Sequence, residues 1–310
     1  MGLAEIIALL VSVLAATIRI STPLALSSIG EVISERSGIV NLGLEGQILT
    51  GAFAAVVGSY YTGSAYLGIL MAVMSGCLLG LLHVLFVVKF KANQIVMGVA
   101  VNIFAQGLTT IGLVSIWGNR GKSASVTGLP AIHFDWLGKI PLIGPVLNDH
   151  TLIVYAMLAI AVVSWYVLFR TNIGLRLRAI GENPRAAASV GIKIEPLQYW
   201  AVSIGGALSG LAGSYLSLSD LNLFGRNMSA GRGFIALAAT ILGNWNPLGA
   251  FGSSLIFGFL DAMQIRLQAT GFPSQFIQMI PYVLVILLLA GVFRRVRAPA
   301  SVGKIYEQGT

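Results

Sequence analysis

The sequence predicts an all-α polytopic membrane protein of about ten transmembrane helices, some of them broken or half-membrane, in two weakly similar halves. Three observations carry that expectation. Hydrophobic residues make up 56% of the 310 and charged residues only 10%, with a mean hydropathy of +0.86, a balance that a soluble domain with a charged surface does not reach. Apolar stretches recur at the roughly 20 residues that a helix needs to cross a hydrocarbon core of about 30 Å. Runs such as Tyr282 to Phe293 are continuously apolar instead of alternating, which disfavours a β-barrel.

The predicted crossings follow in order. Leu3 to Ile18 resembles a signal peptide in apolarity, but no basic n-region precedes it and no small-residue cleavage site follows, so it is read as the first span. Thr22 to Ile33, Ile39 to Ser59, Tyr66 to Val88, Gln94 to Trp117, Thr151 to Phe169, Leu197 to Leu218, Gly233 to Leu242, Leu248 to Leu267 and Phe276 to Phe293 complete the set. The second and eighth are too short to span as straight helices. They are half-membrane helices packed inside the bundle, or they merge with their neighbours. An internal echo supports the two halves: NLGLEGQILTGAFAAVVG from Asn41 and NMSAGRGFIALAATILG from Asn227 both run from a polar, Gly-containing approach into a small-residue apolar helix.

The net charge of +8 does not point to nucleic acid, because the bases lie in short loops beside apolar segments and form no stripe with interleaved aromatics. With both termini cytoplasmic, twelve of the nineteen Lys and Arg fall inside and seven outside, the bias of the positive-inside rule. That orientation leaves Gly118 to His150 (118–150) as the one substantial external loop. It places in the cytoplasm the segment 170–196, within FRTNIGLRLRAIGENPRAAASVGIKIEPL, which holds five of the bases and two of the eleven acids. There Asn183-Pro184 marks a turn, Pro184 suits the first turn of a helix over Arg185 to Val190, Gly191 ends it, and Pro196 hinders its continuation. A short helix between two spans is expected, either a docking element or a solvated loop.

Polar residues inside the spans need a reason. Gly98, Asn102 and Gln106 share one helical face, with Thr109 and Thr110 just beyond; they line a polar solute path, or they bond between helices. Glu45 and Gln47 lie just inside the third span, and Glu45 either helps form the path or pairs with a base such as Arg36. Gly206, Gly210 and Gly213, and likewise Gly76 and Gly80, make small-residue faces for helix packing. Trp117, Trp136 and Trp245 fit an aromatic belt. Cys77, the single cysteine, allows no intramolecular disulfide, and His83, His133 and His150 are too scattered to predict a metal site. Gly121-Lys122-Ser123 lacks the upstream glycine of a P-loop, since Ile116 stands there, and no nucleophile elbow or paired-carboxylate motif occurs. An ion-gradient transporter would place more ionisable groups deep in its spans than Glu45 and Asp261.

The runs GLRLRAIGENPRAAASVGI and SSIGEVISERSGIVNLGLEGQ together resemble the inner-membrane permeases of bacterial ATP-binding-cassette importers, in the branched-chain amino acid, simple sugar and nucleoside superfamily, and most closely its guanosine or general nucleoside branch. The resemblance covers nearly the whole chain. It implies a single transmembrane permease domain (1–310) in the bacterial cytoplasmic membrane, carrying nucleosides or, alternatively, simple sugars. It also implies that the charged segment is a coupling helix seated in the ATP-binding subunit. Gly181, Glu182, Asn183, Pro184, Ala186, Ala187 and Gly191 fall on the coupling motif, and Arg185 stands where the broader importer pattern has a glutamate. The implied partners are that ATP-binding subunit, a second related permease subunit in a heterodimer, and an external substrate-binding lipoprotein. No cofactor is expected on this chain, ATP and Mg2+ being held by the ATPase.

Overall fold

The computed structural model describes residues 3–135, 143–268 and 297–304 with Met279 and Val283, and side chains from Leu10 onward. The helices are α1 (Leu3–Glu35), α2 (Leu44–Thr62), α3 (Ala65–Val88), α4 (Gln94–Trp117), α5 (Ile143–Leu147), α6 (Leu152–Arg170), α7 (Asn172–Glu182), α8 (Pro184–Ser189), α9 (Ile194–Ser214), α10 (Arg232–Leu242) and α11 (Pro247–Leu267). A π-helical turn over Tyr215–Asp220 extends α9. The only sheet among the described residues is a two-stranded antiparallel pair, β1 (Ala131–Ile132) with β2 (His150–Thr151). Among the described residues six helical stretches are long and apolar enough to cross a membrane. The predicted span Phe276 to Phe293 lies outside the described residues.

Local chemistry explains where the elements start and stop. The Asn93 side chain caps α4 by accepting from Ile95 N at 2.9 Å and Val96 N at 3.2 Å, and Gly118 closes it with φ +63°. The predicted Leu3–Ile18 and Thr22–Ile33 crossings are one helix, α1. Ser21 and Thr22, which look like a break in the sequence, turn their hydroxyls back onto Ile18 O at 3.0 and 2.7 Å, so the polar pair is satisfied within the helix that continues through Pro23. α1 is about 50 Å long at 1.5 Å per residue. α11 runs antiparallel beside it, with Trp245 next to Glu35, Ser254 next to Ser28 (3.1 Å) and Arg266 next to Ser12 (2.5 Å). The two ends of α1 therefore lie at opposite ends of the bundle, and its first residues do not share a face with Arg36 as two separate crossings would have made them. α9 begins at Ile194, ahead of the expected Leu197, because Pro196 falls in its first turn, where no intrahelical N–H is lost.

α2 is the centre of the bundle. Thirteen of its nineteen residues are buried, although Glu45, Gln47 and Thr50 lower its hydropathy. It is flanked by α3, α4 and α9. The small-residue faces pack as a direct backbone contact: a Cβ on Gly76 would collide with Gly206 O, and one on Gly210 with Ala72 O. Trp245 is buried, its indole donating to Glu35, so it is not a belt residue; Trp136 lies outside the described residues.

Candidate functional site

Two helices start part-way through the bundle and meet. Gly46, at the first turn of α2, packs on Val101, Asn102 and Ala105 in the middle of α4. The Glu45 carboxylate reaches across to the start of α10, accepting from Gly231 N at 2.7 Å and Gly233 N at 2.8 Å. A carboxylate thus caps the positive end of a second helix. The two approaches that echo one another in sequence, from Asn41 and from Asn227, are joined by this contact.

The remaining polar residues of the α2 start form a hydrogen-bonded network. Asn102 Oδ1 accepts from Gly46 N at 2.8 Å while its Nδ2 donates to Leu42 O at 2.9 Å. Asn41 and Gln47 exchange side-chain bonds at 3.0 and 3.1 Å, and Asn41 N donates to Glu31 Oε1 at 2.9 Å. So Asn102, Glu45 and Gln47 are brought together, Asn102 and Glu45 bonded to backbone and Gln47 to the Asn41 side chain, and Arg36 is not the partner of Glu45.

Gln106 stands apart from them, one turn along α4. It lines an open cleft of about 700 Å³ with Thr109 and Thr110, apolar Leu49, Ile103 and Ile111, and Arg226 and Asn227 from the loop before α10. Thr109 and Thr110 donate to carbonyls of their own helix, Ala105 O at 2.8 Å and Gln106 O at 2.7 Å, leaving their oxygens as acceptors. Arg226 is not evident from the sequence as a cleft residue, where it counts only as an external base. What brings it in is the chain 121–129, which runs beside 218–226 through Ser123 N to Phe224 O (2.9 Å), Val126 N to Asn222 O (2.9 Å) and Arg226 N to Gly121 O (2.8 Å). Further out, His133 Nδ1 bonds Asp149 at 2.7 Å, which with the charges of Asp149 and Asp135 raises its pKa. His150 is lowered, chiefly by burial.

At the opposite end lies the charged segment. Asn183 Oδ1 accepts from Ala186 N at 3.1 Å, Pro184 takes the first position of α8, and Gly191 closes it at φ +82°. Glu182, Asn183, Arg185, Ala186, Ser189 and Val190 are exposed on one side. Ala187 faces inward and packs with Ile180 and Ile194. Gly181 is buried so closely on the α1–α2 turn that a Cβ would strike Arg36 O. Residues 297–304 fasten this junction: Ser301 Oγ donates to Ile180 O at 3.0 Å, Ser301 N to Gly181 O at 2.9 Å, and Gly303 N to Gly38 O at 3.1 Å. Arg36 donates to Trp245 O at 2.8 Å and, with Arg178, lies over the Phe169 ring. Burial is the main force lowering the Arg36 pKa, opposed by nearby Glu182. A push on α8 therefore has a contact route to the α1–α2 turn and on to the start of α2.

Residues 13–289 match the model of the family described as branched-chain amino acid transport system / permease component. The chain is 35% identical to the guanosine ABC transporter permease protein NupQ of Bacillus subtilis, over 98% of this chain and 99% of that protein. It is 37% identical to the nucleoside ABC transporter permease protein NupC of Lactococcus lactis, over 92% and 93%. It is also 37% identical to the putative glucose ABC transporter permease protein TsgC13 of Haloferax volcanii, over 82% and 77%.

Proposed function

Because this chain belongs to the branched-chain amino acid transport system permease component family, we propose that it is the membrane-spanning subunit of an ATP-binding-cassette importer and that its cargo is a nucleoside. As a member of that family it is a transport subunit and not an enzyme. The observation that carries the cargo is the near full-length likeness to a guanosine and a nucleoside permease. The cleft beside α4 supports it, with amide and hydroxyl groups facing apolar walls and no carboxylate among the described residues of its lining. A simple sugar is the second reading, favoured by the likeness to a glucose permease.

In this reading the chain forms one permease domain. The face of α7, α8 and residues 297–304 is cytoplasmic, with Glu182, Asn183, Arg185, Ala186, Ser189 and Val190 toward an ATP-binding subunit that holds ATP and Mg2+. The segment 118–150 and the Arg226 loop face an external substrate-binding lipoprotein, and a second related permease completes the passage. The exposed apolar side of α4 away from the cleft, with Val96, Phe104 and Leu108 uncovered, supports such a neighbour. With the first two predicted crossings merged in α1, about nine crossings in two related halves are proposed, supported by the paired helix starts. The continuous α1 carries its first residues away from the coupling face, so in this reading the N-terminus is external and residues 297–304 are cytoplasmic. ATP drives transport only through unequal affinity for the outward- and inward-facing states, and the Gly181–Arg36 contact is the route by which that difference reaches the passage.

The test is uptake of labelled guanosine, ribose and galactose by proteoliposomes holding the assembled importer with its lipoprotein. Guanosine uptake is expected. Ribose or galactose uptake without guanosine would discard the nucleoside and keep the importer.

A further inference from the structure

We infer that the cleft beside α4 selects nucleosides whose base is a 6-oxopurine, with the Arg226 guanidinium reading the O6 and N7 edge. This rests on the nucleoside reading and adds a specificity-determining residue to it.

The backbone that carries Arg226 is held in place. It donates to Gly121 O at 2.8 Å, and two residues earlier Phe224 is fully buried, fixed by Ser123 N to Phe224 O and Phe224 N to Ser123 Oγ, both 2.9 Å. Asn227, next in the chain, sits at φ +57°, a left-handed turn that sets where the loop leaves the cleft wall. No ion pair occupies the guanidinium: the ion pairs among the described residues are those of His133 with Asp135 and Asp149. Among the described residues Arg226 is also the one charged residue in the cleft lining.

A guanidinium that is the only charge among the described residues of a cleft disfavours cationic solutes and prefers ones that present adjacent acceptors. O6 and N7 of a 6-oxopurine are such a pair, matched by two N–H groups of the fork; adenine offers a donor at position 6 and loses half of the match. The rest of the cleft suits the remainder of a nucleoside. Ile103 and Ile111 are 66% and 68% exposed and lie about 12 Å apart along α4, an apolar wall for a base face. Gln106 and Thr110 stand between them as partners for ribose hydroxyls. A volume near 700 Å³ falls within the range of small-molecule sites, about 300 to 1,000 Å³. A hexose has hydroxyls for the second feature and can offer the fork only freely rotating hydroxyl oxygens, not a planar carbonyl and ring-nitrogen pair fixed side by side.

The experiment compares wild type with Arg226→Lys and Arg226→Gln in proteoliposomes carrying the full importer, measuring uptake of labelled guanosine, inosine and adenosine. The lipoprotein is common to all three preparations, so a change in the ratio between substrates belongs to the permease. Guanosine and inosine uptake are expected to fall about tenfold in both variants, the usual worth of a bidentate base contact. Adenosine uptake should change by less than about twofold, the scale of a surface substitution that breaks no specific contact. Lysine should not rescue, since it keeps the charge and lacks the fork. Equal losses for guanosine and adenosine, or no loss, would overturn the inference and leave the nucleoside assignment standing; a wild type that carries sugars and no nucleoside removes both.

Discussion

Replacing Glu45 by Gln tests whether the meeting of α2 and α10 is structural. Both carboxylate oxygens accept backbone N–H bonds, at 2.7 and 2.8 Å, from Gly231 and Gly233, and the residue is 5% exposed. An amide keeps one acceptor and turns its NH2 toward the second N–H, so one bond to a charged acceptor is lost and two donors face each other. A hydrogen bond to a charged group contributes roughly 1.5 to 3 kcal/mol, and the favourable field at the helix N-terminus adds up to about 1 kcal/mol. The expected loss is about 3 kcal/mol; Glu45→Ala, which leaves both N–H groups unmet, should lose roughly 3 to 5 kcal/mol. For a chain of this size that is a fall of about 6 °C or more in Tm, read by thermal unfolding of the purified importer in detergent. Uptake per folded transporter should stay within about twofold, since no solute contact has been removed. An unchanged Tm with uptake abolished would refute the reasoning and put Glu45 on the solute path.

Other perturbations probe the coupling end and the outer loop. Gly181→Val should push α7 off Arg36 O, lowering uptake per ATP hydrolysed while the ATPase still assembles; an unchanged ratio of uptake to hydrolysis would contradict the contact route. Gly191→Val meets no neighbour but places a β-branched residue at φ +82°, costing about 1 to 2 kcal/mol; it should weaken capture of the ATPase without affecting membrane insertion. A single cysteine at Val190, 74% exposed, should crosslink to the ATPase, and one at Ala187, 3% exposed, should not; labelling of the Val190 position from outside intact cells would reverse the topology. His133 has its pKa raised above 6.5 by Asp149 and Asp135, so its protonated form steadies the outer loop. That stabilisation is complete below pH 6.5 and lost as pH rises through the raised value. Amide-exchange protection of Ile132 and Thr151 should fall across that window in wild type and not in His133→Asn.

Much of this was legible because local signals decide it. α4 runs from Gln94 to Trp117 as expected, since Asn93 and Gly118 punctuate it and apolar residues fill it. α8 follows from Asn183-Pro184 and Gly191. What the sequence does not carry is which polar residue faces what. Ser21 and Thr22 look like a break and are absorbed by α1's own carbonyls. Asn102 and Gln106 share a face, yet Asn102 is bonded to Gly46 and Leu42 while Gln106 lines the cleft, a difference set by another helix's backbone. Arg226 reaches the cleft through pairing with a segment about a hundred residues away, for which no local pattern exists.

The most direct measurement of the transport mechanism is guanosine accumulation in sealed proteoliposomes that hold this chain, its ATPase, the proposed second permease and the lipoprotein, with ion gradients collapsed by ionophores. Accumulation that requires ATP on the α8 face, stops when hydrolysis is blocked, and is absent when this chain is left out is the expected result. Accumulation that survives without ATP and follows an imposed ion gradient would contradict an ATP-driven importer.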